Sequence, residues 1–311
     1  MKAMLWRLVR LAHRADFAWF LPFIARLPLP LAYALSNLRG RINAASGRDW
    51  RSVALGFRHI QRQSRAAYAM LPGSATQKKR WCRQRFETEA RDEFEAQLVA
   101  ARRLGEMRCE FVPAELEDLC IHRPRGLVLL TPHFDSFYLG SAFLARATGK
   151  RINSMSSAVS HDPRVDPKVS QHFEHKYRGL EQYVNGGQVL DMEVGLRPFY
   201  RMLERHETLI VLGDAPVLPG GVSMVVNFLG SQRLMAGGAL RLAQHTGSDL
   251  GGYVCRYLEP GRYALEICPV GAANDPETVA RIYRFFDQRI SAQPGLWLAA
   301  DLLLHMPESA A

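Results

Sequence analysis

The stretch Leu130-Thr131-Pro132-His133-Phe134-Asp135-Ser136-Phe137-Tyr138 carries the residue types that can move a proton. His133 stands just past Leu127-Val128-Leu129-Leu130, a short apolar run that reads as a buried strand, and just before a helix-like segment at Tyr138 to Ala147. In an α/β sheet the carboxyl end of a strand is where ligands bind. A neutral imidazole at that position can take a proton from a hydroxyl near neutral pH, which is what an attacking alcohol needs. A structural histidine at a strand end is the plainer reading of the residue alone. A second strand-like run, Thr208 to Leu212, leads into Gly213-Asp214-Ala215-Pro216. Asp214 there can cap its own loop through backbone N–H groups. No G-x-S-x-G elbow occurs, which argues against a serine hydrolase of the familiar kind; a hydrolase that uses His133 with water stays a rival. His161, His172 and His175 lie between the two strands, the last two at helical spacing, but no carboxylate completes a metal set. Arg164, Arg178 and Arg256 are of the type that meets phosphates, and each taken singly also fits a surface arginine.

The elements that must position these residues alternate in type. A helix around Arg197 to Arg205 precedes the Thr208 strand. Ser223 to Phe228 reads as a strand, and Ala236 to His245 as a helix with small residues on one side. Leu250 to Tyr257 and Arg262 to Ile267 read as strands joined by the turn Glu259-Pro260-Gly261, and Pro276 to Ala292 as a last helix with proline at its start. This order implies an α/β fold: a mixed, mostly parallel sheet flanked by helices, with a helical N-terminal region. Residues 46 to 108 read as helical and strongly charged. Lys78-Lys79-Arg80, Arg83, Arg85 and Arg102-Arg103 alternate with glutamates, a pattern expected mostly of a solvated helical face.

In the order of its pieces the chain resembles the lysophospholipid acyltransferase superfamily, in its lipid A late acyltransferase branch. The resemblance rests on a strand ending in His133 and a strand ending in Asp214 before a Gly/Pro-rich loop. It continues with Asn227-Phe228-Leu229-Gly230, the helix Ala236 to Ala243, a basic residue matched by Arg256, and Pro294-Gly295-Leu296-Trp297. It covers about residues 120 to 298. The family motif has a carboxylate five positions after the histidine, where this chain has Tyr138, and Asp135-Ser136-Phe137 replaces its Gly-Asn-Trp. Three places are therefore open for the group that orients His133: Asp135, Tyr138 and Asp214. The resemblance implies direct transfer of a fatty acyl chain from an acyl thioester, on acyl carrier protein or coenzyme A, to a hydroxyl of a lipid-linked sugar or glycan. His133 would be the base, an apolar tunnel would hold the chain, and no metal or bound cofactor would be needed. A non-catalytic relative that binds lipid or scaffolds an envelope assembly is the alternative.

The 311 residues are 48% hydrophobic, with a formal net charge of +10. That charge suits nucleic acid, an anionic membrane surface or an acidic carrier protein. Nucleic acid fits poorly, because the basic residues do not alternate with stacking aromatics. The 5 cysteines are scattered and odd in number, and read as free thiols. At the N-terminus Lys2, Arg7, Arg10 and Arg14 precede the apolar stretch Phe17 to Ala25, which Arg26, Pro28 and Pro30 close. A spanning helix needs roughly 20 apolar residues, and no cleavage site marks a signal peptide. The expectation is a membrane-associating segment over residues 1–45, lying in the headgroup layer of the cytoplasmic face of the inner membrane, followed by an acyltransferase-like domain over 46–311.

Overall fold

The computed structural model describes residues 2–120, 123, 125–157 and 162–309. Its core is a seven-stranded sheet built from β1 (Arg108–Phe111), β2 (Leu127–Thr131), β3 (Ile152–Ser156), β4 (Val189–Asp191), β5 (Thr208–Leu212), β8 (Asp249–Glu259) and β9 (Arg262–Ala272), in the spatial order β1-β9-β8-β2-β5-β3-β4. Only the β8–β9 pair is antiparallel within it. Strands β6 (Ser223–Phe228) and β7 (Ser231–Ala236) form a separate antiparallel hairpin. The expected fold class is thus the one found, although the Ser223 strand lies outside the main sheet.

Strand β2 is buried along its whole length, because helices cover both faces of the sheet. The two faces follow the alternation of side chains along a strand. Leu127 and Leu129 pack with Leu139 and Phe143 of the helix Phe137–Thr148, and with Phe94 and Leu98 of the helix Ala75–Ala100. Val128 and Leu130 face the other way, toward Phe199 of Arg197–Glu204, Leu242 of Gly238–Thr246 and Phe286 of Pro276–Ala292. Gly140 lets the first of these layers close: a Cβ there would stand 2.2 Å from the Tyr253 ring on β8.

The 26-residue helix Ala75–Ala100 starts at a capping box, with Ser74 accepting from the Gln77 amide and the Gln77 side chain accepting from the Ser74 amide. Its first turns fit the expectation of a solvated charged face, since Lys79, Arg80 and Arg83 are exposed. From Arg85 onward the expectation fails. Arg85, Arg91, Asp92, Glu93 and Glu95 are all buried, because the helix is overlaid by Leu29–Ser46 on one side and Pro167–Glu181 on another. Burial of so many charges is tolerable only when each is paired. Arg85 bonds Asp49 at 2.9 Å and reaches Glu89 and the carbonyl of Leu298. Arg39 forks onto Asp16 at 2.8 and 2.7 Å and also meets Glu93. Lys176 meets Asp92 at 2.6 Å. Gly40 is where the overlying helix comes closest, since a Cβ there would sit 2.5 Å from the Cα of Glu87.

The N-terminal residues form the helix Lys2–Ala15, a π-helical turn Asp16–Phe20, a short helix Leu21–Ile24, and then Leu29–Ser46. Val9, His13, Phe17, Leu21 and Ile24 point inward. Met4, Leu8, Leu11, Trp19 and Phe23 form an exposed apolar stripe, continued by Leu31, Leu38 and Ile42 on the next helix. Among the described residues no helix is long and apolar enough to cross a membrane. The cysteines described in full, Cys82, Cys109, Cys255 and Cys268, are free thiols.

Truncating one member of a buried ion pair strands its partner, at a cost of about 3–5 kcal/mol. Arg85→Met is therefore expected to lower unfolding stability by about that amount, read from urea denaturation. A loss below about 1 kcal/mol would show that Asp49 and Glu89 do not depend on it.

Candidate active site

Strands β2 and β5 are parallel neighbours in register, with Thr131 opposite Leu212. His133 and Asp214 each lie two residues past that pair, so register alone brings the two loops together at the carboxyl edge of the sheet. The Gly213 amide donates to the Thr131 carbonyl at 2.9 Å and ties the loops where they leave the sheet. His133 Nδ1 then lies 2.8 Å from Asp214 Oδ1, and the His133 backbone amide donates to Asp214 Oδ2 at 2.8 Å. The indole N–H of Trp297 donates to the same Oδ2 at 2.7 Å.

Asp214 is fully buried. Burial pushes its carboxyl up, but the charge and hydrogen bonds of His133 and the Trp297 indole outweigh that and hold it below the usual carboxylate range. An ionised carboxylate only accepts, so Nδ1 must carry the ring proton and Nε2 the free lone pair. The His133 side chain is 27% exposed, and the Phe137 ring meets the imidazole edge-on at 5.2 Å between centroids. Such an arrangement, an imidazole with one nitrogen held by a buried carboxylate, is one that can act as a general base.

The loop that carries His133 is held from further sides. The His133 carbonyl accepts from the Leu298 amide at 2.8 Å, and the Leu296 carbonyl accepts from the Asp135 amide at 2.9 Å. Leu298 in turn offers its carbonyl to buried Arg85 at 3.1 Å. The segment Pro294–Leu298 is thus a clasp over the loop. Trp297 packs edge-on against Phe228 of the hairpin, 5.8 Å between centroids, and the Tyr283 hydroxyl donates to the Gly213 carbonyl at 2.6 Å.

Neither Asp135 nor Tyr138 makes a hydrogen bond to the imidazole, and this corrects the reach expected of them from sequence. Strand β2 lies between β5 and β8. His133 turns toward the β5 side, while Asp135, two residues on, pairs with Cys255 on the β8 side. Its carboxylate accepts from the Tyr257 amide at 2.9 Å and from Arg91. Burial pushes the Asp135 carboxyl up against the pull of Arg91. Its φ of 52° is left-handed, unusual for a non-glycine residue and tolerated best by Asp and Asn. The Tyr138 hydroxyl is buried and donates to the Lys176 carbonyl.

Arg256 follows Cys255 on β8 and pairs with Glu266; of the three arginines singled out from sequence it is the one whose charge acts on Asp135, though Arg91 bonds that carboxylate directly. Arg164 pairs with Asp162 at 2.6 Å in an exposed loop, and Arg178 stands on the wall of a separate groove. His172 is buried with Nδ1 2.8 Å from Gln97 Nε2, His175 is exposed, and His161 lies outside the described residues. Three cavities stand out among the described residues, and none has His133 in its wall, so the apolar tunnel expected beside it is not among them. Sequence reasoning missed Arg91, which looks like any other charge on its helix, and the role of Trp297, whose tryptophan type in Pro-x-x-Trp was visible but whose partner was not.

The family model for bacterial lipid A biosynthesis acyltransferases matches residues 67–301, which takes in His133, Asp214 and Trp297 together. No individual curated protein matches the chain.

A hydrogen bond to a charged group contributes about 1.5–3 kcal/mol. Trp297→Phe keeps the ring and removes the donor, and should cost a stability loss in that range by urea denaturation. A variant as stable as the wild type would show that the indole N–H does not support Asp214.

Proposed function

We propose, for a chain that belongs to the bacterial lipid A biosynthesis acyltransferase family, that the His133–Asp214 pair is the general base of an acyl transfer to a hydroxyl. The observation that carries this reading is the 2.8 Å contact between Nδ1 and a buried carboxylate held below the usual range, on an imidazole whose side chain is 27% exposed. Nε2 takes the proton of the acceptor hydroxyl as its oxygen attacks the thioester carbonyl. The C–O bond forms, the C–S bond breaks, and the departing thiolate receives the proton from the imidazolium. Asp214 stabilises the imidazolium while it exists, without itself taking the proton. The donor is an acyl thioester of acyl carrier protein or coenzyme A, and the acceptor a lipid-linked sugar or glycan. Arg256 offers a cation near the loop for substrate phosphates. Asp135 and Arg91 act on geometry: they fix the turn that aims His133.

The family is associated with bacterial membranes, and the exposed stripe of Met4, Leu8, Leu11, Trp19 and Phe23, edged by exposed Arg7, Arg10 and Arg14, supports attachment in the plane of the surface. We place that attachment at the cytoplasmic face of the inner membrane, where the thioester donors are made.

Proton transfer by a positioned side chain contributes about 100-fold to 10,000-fold. His133→Ala and Asp214→Asn should each lower kcat for transfer from a labelled thioester by at least about 100-fold, with folding intact. Asp135→Asn should lower stability more than kcat. Full activity in Asp214→Asn with collapse in Asp135→Asn would move the orienting role to Asp135 and overturn this assignment. For attachment, Trp19→Asp with Phe23→Asp removes two aromatic anchors of about 1.5–3 kcal/mol each, so partition onto lipid vesicles should fall by about 100-fold or more. Unchanged flotation would exclude this face.

A further inference from the structure

A groove of about 370 Å³ opens between the N-terminal helices, the end of the helix Ala75–Ala100 and the helix Pro167–Glu181. Its walls include Pro22, Ala25, Arg26, His175 and Arg178, and no carboxylate lines it. Arg14, Arg39, Arg41, Arg48 and Arg51 all meet an acid, whereas Arg26 and Arg178 have no ion pair among the described residues and both are exposed. Exposed Arg7 and Arg10 also lack an ion pair among the described residues, but they stand on an open helix surface and not in a groove. Arg26 and Arg178 converge on one concavity without an anion of the protein's own.

The surroundings say what kind of anion fits. Phe23, 56% exposed, directly follows Pro22 of the wall, and Trp19, 74% exposed, lies one helical turn before Phe23. Pro22 is in the same short helix as Phe23, and Arg26 follows in the turn that closes it, its amide donating to the Phe23 carbonyl at 3.0 Å. The groove therefore opens at the edge of the apolar stripe, at the depth where headgroups lie when that stripe is seated in acyl chains. Guanidinium groups match phosphate oxygens with paired donors.

We propose that this groove binds the phosphate of an anionic phospholipid headgroup, with Arg26 and Arg178 as its ligands and Trp19 and Phe23 beside the acyl chains. The proposal rests on the membrane attachment put forward above and adds a defined headgroup subsite to it. It is separate from the His133 site, so it sets where the enzyme sits and not which bond it makes.

The experiment compares full-length wild type, Arg26→Gln/Arg178→Gln and Arg7→Gln/Arg10→Gln for flotation with vesicles of phosphatidylcholine alone and of phosphatidylcholine mixed with phosphatidylglycerol. The last variant loses the same charge from the exposed face of the first helix. Arg178 is in the final turn of its helix, where a cation offsets the helix dipole, so thermal unfolding of each variant is followed in parallel. The groove variant should lose the preference for phosphatidylglycerol by about tenfold or more, while the control pair loses only a few-fold that added salt erases. Equal losses in the two variants would make the attraction diffuse and overturn the subsite. Wild-type binding to neither vesicle would instead overturn the attachment itself. Calorimetry with monomeric dihexanoyl phosphatidylglycerol gives a readout free of the bilayer: wild type should bind it and the groove variant should not. Equal binding by both variants, or inorganic phosphate bound as tightly as the lipid, would overturn the headgroup assignment.

Discussion

The carboxylate of Asp214 is the point on which the site hangs. Its two oxygens accept from the imidazole and the amide of His133 and from the indole of Trp297. A buried carboxylate without partners would be neutralised or excluded from the core. Here three donors from two distant segments keep it ionised, and the same bonds fix the segments that supply them. Strand register provides the first meeting, because neighbouring parallel strands end level with each other. The Pro294–Leu298 clasp provides the second, by bonding the backbone on both sides of Phe134.

Behind this lies a helix that carries charges into the core. Arg85 holds the carbonyl of Leu298, and Arg91 holds Asp135, so one rigid element grips the clasp and the loop at two places. Apolar residues would pack there at lower desolvation cost, but they would not define the orientation of two loops with the same directionality. The cost falls on every neighbour: Asp16, Asp49, Asp92 and Glu93 must all find cations, and they do.

Much of this was legible in the residues. The helix Pro276–Ala292 and the strands Thr208–Leu212 and Ser223–Phe228 have the bounds that periodicity and proline placement imply. The short strands were not legible. Ile152–Ser156 is half polar, and Arg108–Phe111 and Val189–Asp191 are edge strands too brief to show alternation. At the site, His133 and Asp214 were both visible as strand-end residues, yet Asp135 looked the nearer acid. Proximity along the chain misleads here, because residues two apart beyond a strand end turned to opposite neighbours. The charged helix misled for a related reason: composition reports the charges, and only packing decides which of them meet water.

The clasp has a consequence for the order in which the molecule is made. Asp214 lies 81 residues after His133, and Trp297 a further 83 beyond Asp214. Chain synthesis proceeds from the N-terminus, and contacts of such separation form late. The helices within residues 2–46 are made well before either contact can form. The imidazole can meet its acid once residue 214 has been made, and the acid gains its indole donor only with residue 297. A chain truncated ahead of Pro294 would still bring His133 and Asp214 together by strand register, but would leave Asp214 without its indole donor and the His133 loop without its clasp.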